Sequence, residues 1–158
     1  MTAAYKKDPD KKGHLIIDEE AAKVVREVFE LFVEGYGKTV IARKLNAKAI
    51  PNPTEYKRQN GLRYKHNKNI NSTLWKYYTI SYMLKNEMYI GTMVQNKQKN
   101  VSYKSNKAIN LPKEKWIRIP DTHEPIINID LWNKAQKLIK HRFKPWGDTN
   151  KIGVFAKR

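Results

Sequence analysis

Asp18-Glu19-Glu20-Ala21-Ala22-Lys23-Val24-Val25-Arg26-Glu27-Val28-Phe29-Glu30-Leu31-Phe32, positions 18 to 32, is the stretch from which the rest of the fold can be read. Val24, Val25, Val28, Phe29 and Phe32, with Ala21 and Leu31 alongside, recur at helical spacing and form one apolar stripe. Asp18 stands in front as an N-cap, and Glu19 and Glu20 fill the first turn, where the helix dipole favours acids. Gly35 and Gly37 end the helix. A stripe this wide is core, so the neighbouring segments must supply what covers it.

Working outward, Tyr5-Lys6, a turn around Asp8-Pro9-Asp10 ending near Gly13, and His14 to Ile17 predict a β-hairpin. Downstream, Thr39 caps a shorter predicted helix through about Ala47, with Val40, Ile41 and Leu45 inward and Lys38, Arg43, Lys44 and Lys48 outward. Pro51 and Pro53 stop it. From Thr54 to Asn71 no period persists, which predicts a long basic loop with a turn at Asn60-Gly61. Helical spacing returns at Thr79, with Ile80, Met83 and Leu84 on one face and Ser81, Tyr82 and Lys85 on the other. Tyr89 to Gln95 reads as a strand containing Gly91, Lys97 to Lys113 as a polar mobile loop, and Trp116 to Ile119 as a strand paired with the first. Asn128 caps a last helix whose buried stripe is Ile129, Trp132, Ala135 and Ile139, and Lys144 to Arg158 reads as a linker. These elements predict an α+β fold: a mixed helical module with small β-hairpins.

Thirty-two Lys and Arg against fifteen Asp and Glu leave a formal charge of +17, which favours a polyanionic partner. The excess is uneven. Met1 to Glu34 holds more acids than bases, whereas Lys57 to Lys104 holds ten bases and one acid, Glu87, together with six of the nine tyrosines. Bases interleaved with aromatics suit a phosphate-lined partner better than a solubility tail, although a merely solvated face would also carry charge. There is no long apolar span, no basic amphipathic helix and no apolar stretch behind basic residues at the start, so the chain reads as intracellular and not membrane-bound. Cysteine is absent, which excludes disulfides, thiolate zinc sites and cysteine nucleophiles.

Two short basic helices, Thr39 to Ala47 and Thr79 to Lys85, are candidates for a helix-turn-helix, in which one helix crosses the backbone and the other lies in the major groove. The usual connection is three or four residues, so here the unit would have to be split by an inserted loop; the alternative is two surface helices that never meet. Asp121, His123 and Glu124, with His66 or His141, can be assembled into a metal nuclease site only on paper, since no spacing matches a ligand pattern. No phosphate-binding glycine loop occurs. Trp75 and Trp116 could stack on single-stranded bases, but Trp75 reads more simply as a core anchor.

The order of these motifs resembles the recombinase domain of the large serine recombinases, the phage integrases and mobile-element resolvases. The likeness runs through Tyr5-Lys6-Lys7-Asp8, His14-Leu15-Ile16-Ile17-Asp18-Glu19-Glu20-Ala21, Val24-Val25 and Val28-Phe29. It continues with Ile41-Ala42-Arg43-Lys44-Leu45-Asn46, Ile50-Pro51, then Trp75 ahead of Ile80, Leu84 and Asn86, and Tyr89-Ile90-Gly91-Thr92. It closes with His123-Glu124-Pro125-Ile126-Ile127, Trp132 and Arg142. The sequence departs from the pattern in two places: Ala3-Ala4 stand where relatives tend to have Pro and Gly, and Ala49 where they tend to have Gly.

The resemblance implies a module that binds attachment-site DNA, over residues 1–143, with 144–158 a linker towards a zinc ribbon. Ile152-Gly153-Val154-Phe155 looks like the lead-in to that ribbon. The family's catalytic domain carries a serine nucleophile; nothing in the chain resembles that domain, so the chain is expected to be no enzyme by itself and to need no cofactor or metal. It is expected to be a monomer from a cytoplasmic bacterial or phage protein whose parent forms a dimer or tetramer on DNA. On the exposed faces, Thr79, Ser81, Tyr82 and Lys85 are expected in the major groove, with Lys76, Tyr77 and Tyr78 beside them. Lys38, Arg43 and Lys44 would hold phosphates, and Arg58, Arg63 and Lys65 would follow the backbone or enter the adjacent minor groove. The rival readings are an RNA-binding protein, a metal-dependent nuclease and a protein-interaction module.

Overall fold

The computed structural model describes residues 4–61, 73–102 and 105–142. Its elements run β1 (Tyr5–Lys7), β2 (Leu15–Ile17), α1 (Glu19–Val33), α2 (Lys38–Ala47), α3 (Pro53–Gln59) and α4 (Tyr77–Met83), then a 3-10 turn (Glu87–Ile90). After these come β3 (Met93–Gln95), β4 (Gln98–Ser102), β5 (Ser105–Asn110), a second 3-10 turn (Lys113–Lys115), β6 (Ile117–Ile119) and α5 (Ile129–Arg142). The strands form three separate antiparallel pairs, β1–β2, β3–β6 and β4–β5, so the fold is α+β. The linker read at Lys144 to Arg158 lies outside the described residues. Among the described residues no helix is long and apolar enough to cross a membrane.

The stripe on α1 is the floor of the core. Val25, Val28, Phe29 and Phe32 are buried, and α2 and α5 pack on this helix while α4 packs on α2. Phe29 meets Tyr89 edge to face at 6.2 Å and Trp132 of α5 at 5.8 Å. On α5, Trp132 and Ala135 are buried as expected, but Ile129 is exposed because it occupies the first helical position, short of where α5 meets α1. Asn128 does cap, its Oδ1 accepting from the Asp130 N–H at 2.9 Å. Val40 also turns outward, and Ala42 takes its place beside Ile41 and Leu45 in the core.

Five local expectations are corrected, the first at the start of α2, where Gly37 and not Thr39 takes the N-cap position and Thr39 lies inside the helix. Asp18 occupies the N-cap position of α1 without capping: it is buried, and its carboxylate accepts from Lys6 Nζ at 3.1 Å and the Tyr56 hydroxyl at 2.8 Å. Tyr56 reaches it because part of the expected loop is a helix. Asn52 accepts from the Thr54 and Glu55 amides and Pro53 follows in the first turn, a cap-and-proline start that outweighs the lack of period. Tyr89 lies in a 3-10 turn, and the strand begins only at Met93. The segment Lys97 to Lys113, expected as a loop, contains the β4–β5 ribbon.

The segment His123-Glu124-Pro125-Ile126-Ile127 staples the strands to the helices. His123 Nε2–H donates to the Met88 carbonyl at 2.7 Å, and Nδ1 lies 2.8 Å from the Thr122 hydroxyl, which itself donates to the Gly91 carbonyl at 3.1 Å. Both ring nitrogens are thus engaged within the fold, and among the described residues no three His, Asp or Glu side chains are grouped to hold a metal. The Tyr5 hydroxyl donates to the Glu124 carbonyl at 2.9 Å, and burial pushes its pKa up to about 12. The Ile126 and Ile127 amides both donate to the Tyr89 carbonyl at 2.9 Å.

This packing leaves no room at Gly91. A Cβ there would lie 2.7 Å from the His123 carbonyl oxygen, and the backbone is left-handed at φ 79°. The other left-handed corner of interest is Ala49, at φ 53°, where α2 ends with the Ala49 amide donating to Asn46 and the Ile50 amide to Leu45. This is a Schellman ending, which glycine fits best; the departure from the family pattern at this position therefore leaves the turn intact and strains it. Ala49→Gly should stabilise the protein by about 1 kcal/mol in urea denaturation, because the exposed methyl contributes no packing. Gly91→Ala should lower stability by about 2–3 kcal/mol in the same assay, from the left-handed φ and the backbone clash together.

Candidate nucleic-acid interface

Helices α2 and α4 do meet, as a split helix-turn-helix would require. A side-chain clasp replaces the short turn. Asn46, near the end of α2, accepts from the Trp75 N–H at 2.8 Å and donates to the Trp75 carbonyl at 3.1 Å. The Trp75 indole N–H donates to the Ile50 carbonyl at 2.9 Å, and Asn52 Nδ2 donates to the Leu74 carbonyl at 3.1 Å. Trp75 is buried, so it is the core anchor rather than a stacking platform. Everything between residues 52 and 74 is therefore an insertion closed at its base.

The clasp delivers α4 in a fixed orientation. Ile80, Met83 and Leu84 turn into the core, and at 100° per residue this leaves Tyr78, Ser81 and Tyr82 on the outer arc, while Tyr77 is exposed as the first residue of the helix. Tyr82 is 76% exposed and Tyr77 62%, values that leave most of each ring open to a partner. Tyr77 and Tyr78 stand edge to face at 5.9 Å, and Lys76 places its ammonium 5.9 Å from the Tyr78 ring. Thr79 is half-buried: it lines a cavity of about 620 Å³ bounded by α1, α3 and α4, with Tyr78 and Tyr82 at the same opening. Of the four residues expected in the major groove, Thr79 and Ser81 are half-buried and Tyr82 and Lys85 exposed. Lys85 is exposed just beyond the end of α4.

The bases on α2 frame this arc. Lys38 donates to Ser81 Oγ at 3.0 Å, which ties the start of α2 to the middle of α4. Lys44 lies 4.4 Å from the centroid of the Tyr36 ring, and Arg43 is exposed. Arg58 sits further off, on α3, paired with Glu55 at 2.7 Å. The arginine side chain of that pair is 66% exposed and the glutamate side chain 13%. Arg63 and Lys65 lie outside the described residues. Sequence reasoning missed Tyr36, Asn46 and Asn52; only Asn52 carried a local signal, as a cap residue ahead of a proline.

A family model described as Recombinase matches residues 19–142. Two solved structures are similar at 22% sequence identity. One is the crystal structure of a complex of a large serine recombinase (LSR) with DNA, with a TM-score of 0.49 and a match over 87% of this chain and 30% of that one. The other concerns the sequence requirements of the Listeria innocua prophage attP site, with a TM-score of 0.48 over 87% of this chain and 41% of that one. The chain thus spans well under half the length of either.

Removing the clasp should loosen the whole arc. Asn46→Ala is expected to cost about 2 kcal/mol, since it deletes two hydrogen bonds and strands the Trp75 amide and carbonyl. Hydrogen exchange should then show α4 amides opening before those of α1; unchanged protection of α4 would mean that packing alone holds the pair.

Proposed function

The chain belongs to the recombinase family, and we propose that it is the part of a site-specific serine recombinase that grips double-stranded DNA at the attachment site. The observation that carries this reading is the exposed tyrosine face of α4, clasped against α2 and framed by Lys38, Arg43, Lys44, Lys76 and Lys85. A rigid helix with outward hydroxyl and aromatic groups suits base edges and thymine methyls, while flanking ammonium and guanidinium groups suit phosphates.

On this reading Tyr82 and Ser81 read bases, with Thr79 and Lys85 at the margins and Tyr77 and Tyr78 beside them. Lys38, bonded to Ser81 Oγ, adds its positive charge to the phosphate-facing side of the arc. Arg43, Lys44 and Lys76 hold the backbone, and Arg58, Arg63 and Lys65 extend that contact along the strand or into the adjacent minor groove. Recognition is this chain's share; phosphoryl transfer belongs to a serine-bearing domain elsewhere in the parent protein, and no metal or cofactor is called for in binding. Family membership supports the attachment site as the target.

Titration against an attachment half-site, a scrambled duplex and an RNA hairpin over a range of salt tests the reading. The half-site should bind tightest, and both duplexes should share a steep salt slope. Lys44→Ala should weaken both duplexes alike and lower the log–log salt slope by about 1. Tyr82→Ala should cost about 1–3 kcal/mol of discrimination between the duplexes. Equal affinity for half-site and scrambled DNA, or preference for the hairpin, would overturn it.

A further inference from the structure

Strands β4 and β5 stand on no core. Every residue from 95 to 102 and from 107 to 110 is exposed, and the two strands pair only with each other. A lone two-stranded ribbon is marginal in water, so its persistence here depends on its root. That root is well held: the Leu111 N–H donates to the Lys97 carbonyl, the Trp116 indole N–H to the Leu111 carbonyl, and Asn96 Nδ2 to the Lys115 carbonyl, each at 2.9 Å. Lys97 and Arg118 also place their cationic groups over the Trp116 ring, at 5.4 and 5.6 Å. The ribbon is thus aimed from its root, and neither strand contributes a residue to the buried core.

Its chemistry is one-sided. No acid occurs from Met88 to Lys113, whereas lysines stand at positions 97, 99, 104, 107 and 113. Pairing of Gln98 with Asn110 and of Asn100 with Ala108 puts three amide side chains on one face, and pairing of Lys99 with Ile109 makes the other face basic and aliphatic. Gln98 Nε2 already donates to Asn110 Oδ1 at 2.9 Å, which orients both amides. Asn and Gln amides pair with adenine edges, lysines with phosphates, and the major groove of a B-form duplex admits a two-stranded ribbon. A-form RNA closes its major groove to such an element.

We propose that the β4–β5 ribbon is a second DNA-binding element, entering the major groove of the duplex with Gln98, Asn100 and Asn110 towards base edges and Lys97, Lys99 and Lys107 towards phosphates. It rests on the reading of the chain as a duplex-DNA binder and extends the contact beyond α4. With strands of five and six residues the ribbon reaches about 17 Å, half a helical turn of DNA.

Hydroxyl-radical footprinting and salt titration of the full chain on the half-site decide it, with Tyr82→Ala as the reference. Lys99→Gln with Lys107→Gln should lower the log–log salt slope by nearly 2 and erase one block of protection, leaving intact the block that Tyr82→Ala weakens. Lys99→Arg with Lys107→Arg should restore both, and all variants should melt with the wild type because the ribbon carries no core. Gln98→Ala with Asn100→Ala should leave the slope unchanged and reduce preference for the half-site at least tenfold. An unchanged slope and footprint in the glutamine variant, with the wild type still bound and Tyr82→Ala impaired, would remove the ribbon and keep α4. Loss of binding to anionic phospholipid vesicles with full duplex binding retained would make the ribbon a lipid-facing surface and overturn the proposal. No salt-dependent duplex binding by the wild type would overturn this proposal together with the reading beneath it.

Discussion

Asn46 holds the Trp75 backbone by both polar ends of its amide, and through that clasp two helices separated by 29 residues in sequence become neighbours. Closing a loop of that length costs on the order of 3 kcal/mol in chain entropy. Burial of one large indole is worth a similar amount, and its N–H is satisfied by the Ile50 carbonyl rather than left orphaned. The arrangement lets the chain carry an insertion without disturbing the pair, because residues 46, 50 and 52 meet residues 74 and 75 at its base. The exposed tyrosines of α4 owe their direction to this closure together with the burial of Ile80 and Met83 on the other face of a helix only seven residues long.

A second constraint fixes the strands. Gly91, His123 and the Tyr89 carbonyl lie so close that the 3-10 turn, the segment 123–127 and β1 behave as one joint, with Tyr5 and His123 in edge contact at 4.6 Å. From that joint β3 and β6 run out as a short pair, and the ribbon continues beyond them. The helical core and the basic ribbon are therefore connected through hydrogen-bonded backbone rather than through a loop.

Charge follows the same division. The acids near the start of the chain are mostly spent locally: Asp18 on Lys6 and Tyr56, Glu19 on Arg26, Glu27 on Lys48. Few acids remain for the bases around α4, and none occurs in the sequence of the ribbon. A surplus of that kind repels itself in isolation and is relieved by a polyanion, which is the physical link between the +17 total and the surfaces proposed to meet DNA.

Much of this was legible in the residues alone. The α1 stripe, the first hairpin, the α5 cap at Asn128 and the β3–β6 pair follow from periods and turn signals that act over a few residues, where local sterics and burial decide the outcome. The existence of α3 was also written locally, in Asn52-Pro53, although α3 shows no hydrophobic period because it buries no residue completely. Other features could come only from the tertiary structure: Asp18 serving Lys6 and Tyr56 instead of its own helix, Val40 and Ile129 facing outward, and the pairing of α2 with α4. Each depends on which distant group arrives at a position, and no property of nearest neighbours encodes that arrival. The sequence by itself determined a basic α+β module of the recombinase kind; the meeting of Asn46 with Trp75 decided which of its side chains face outward together.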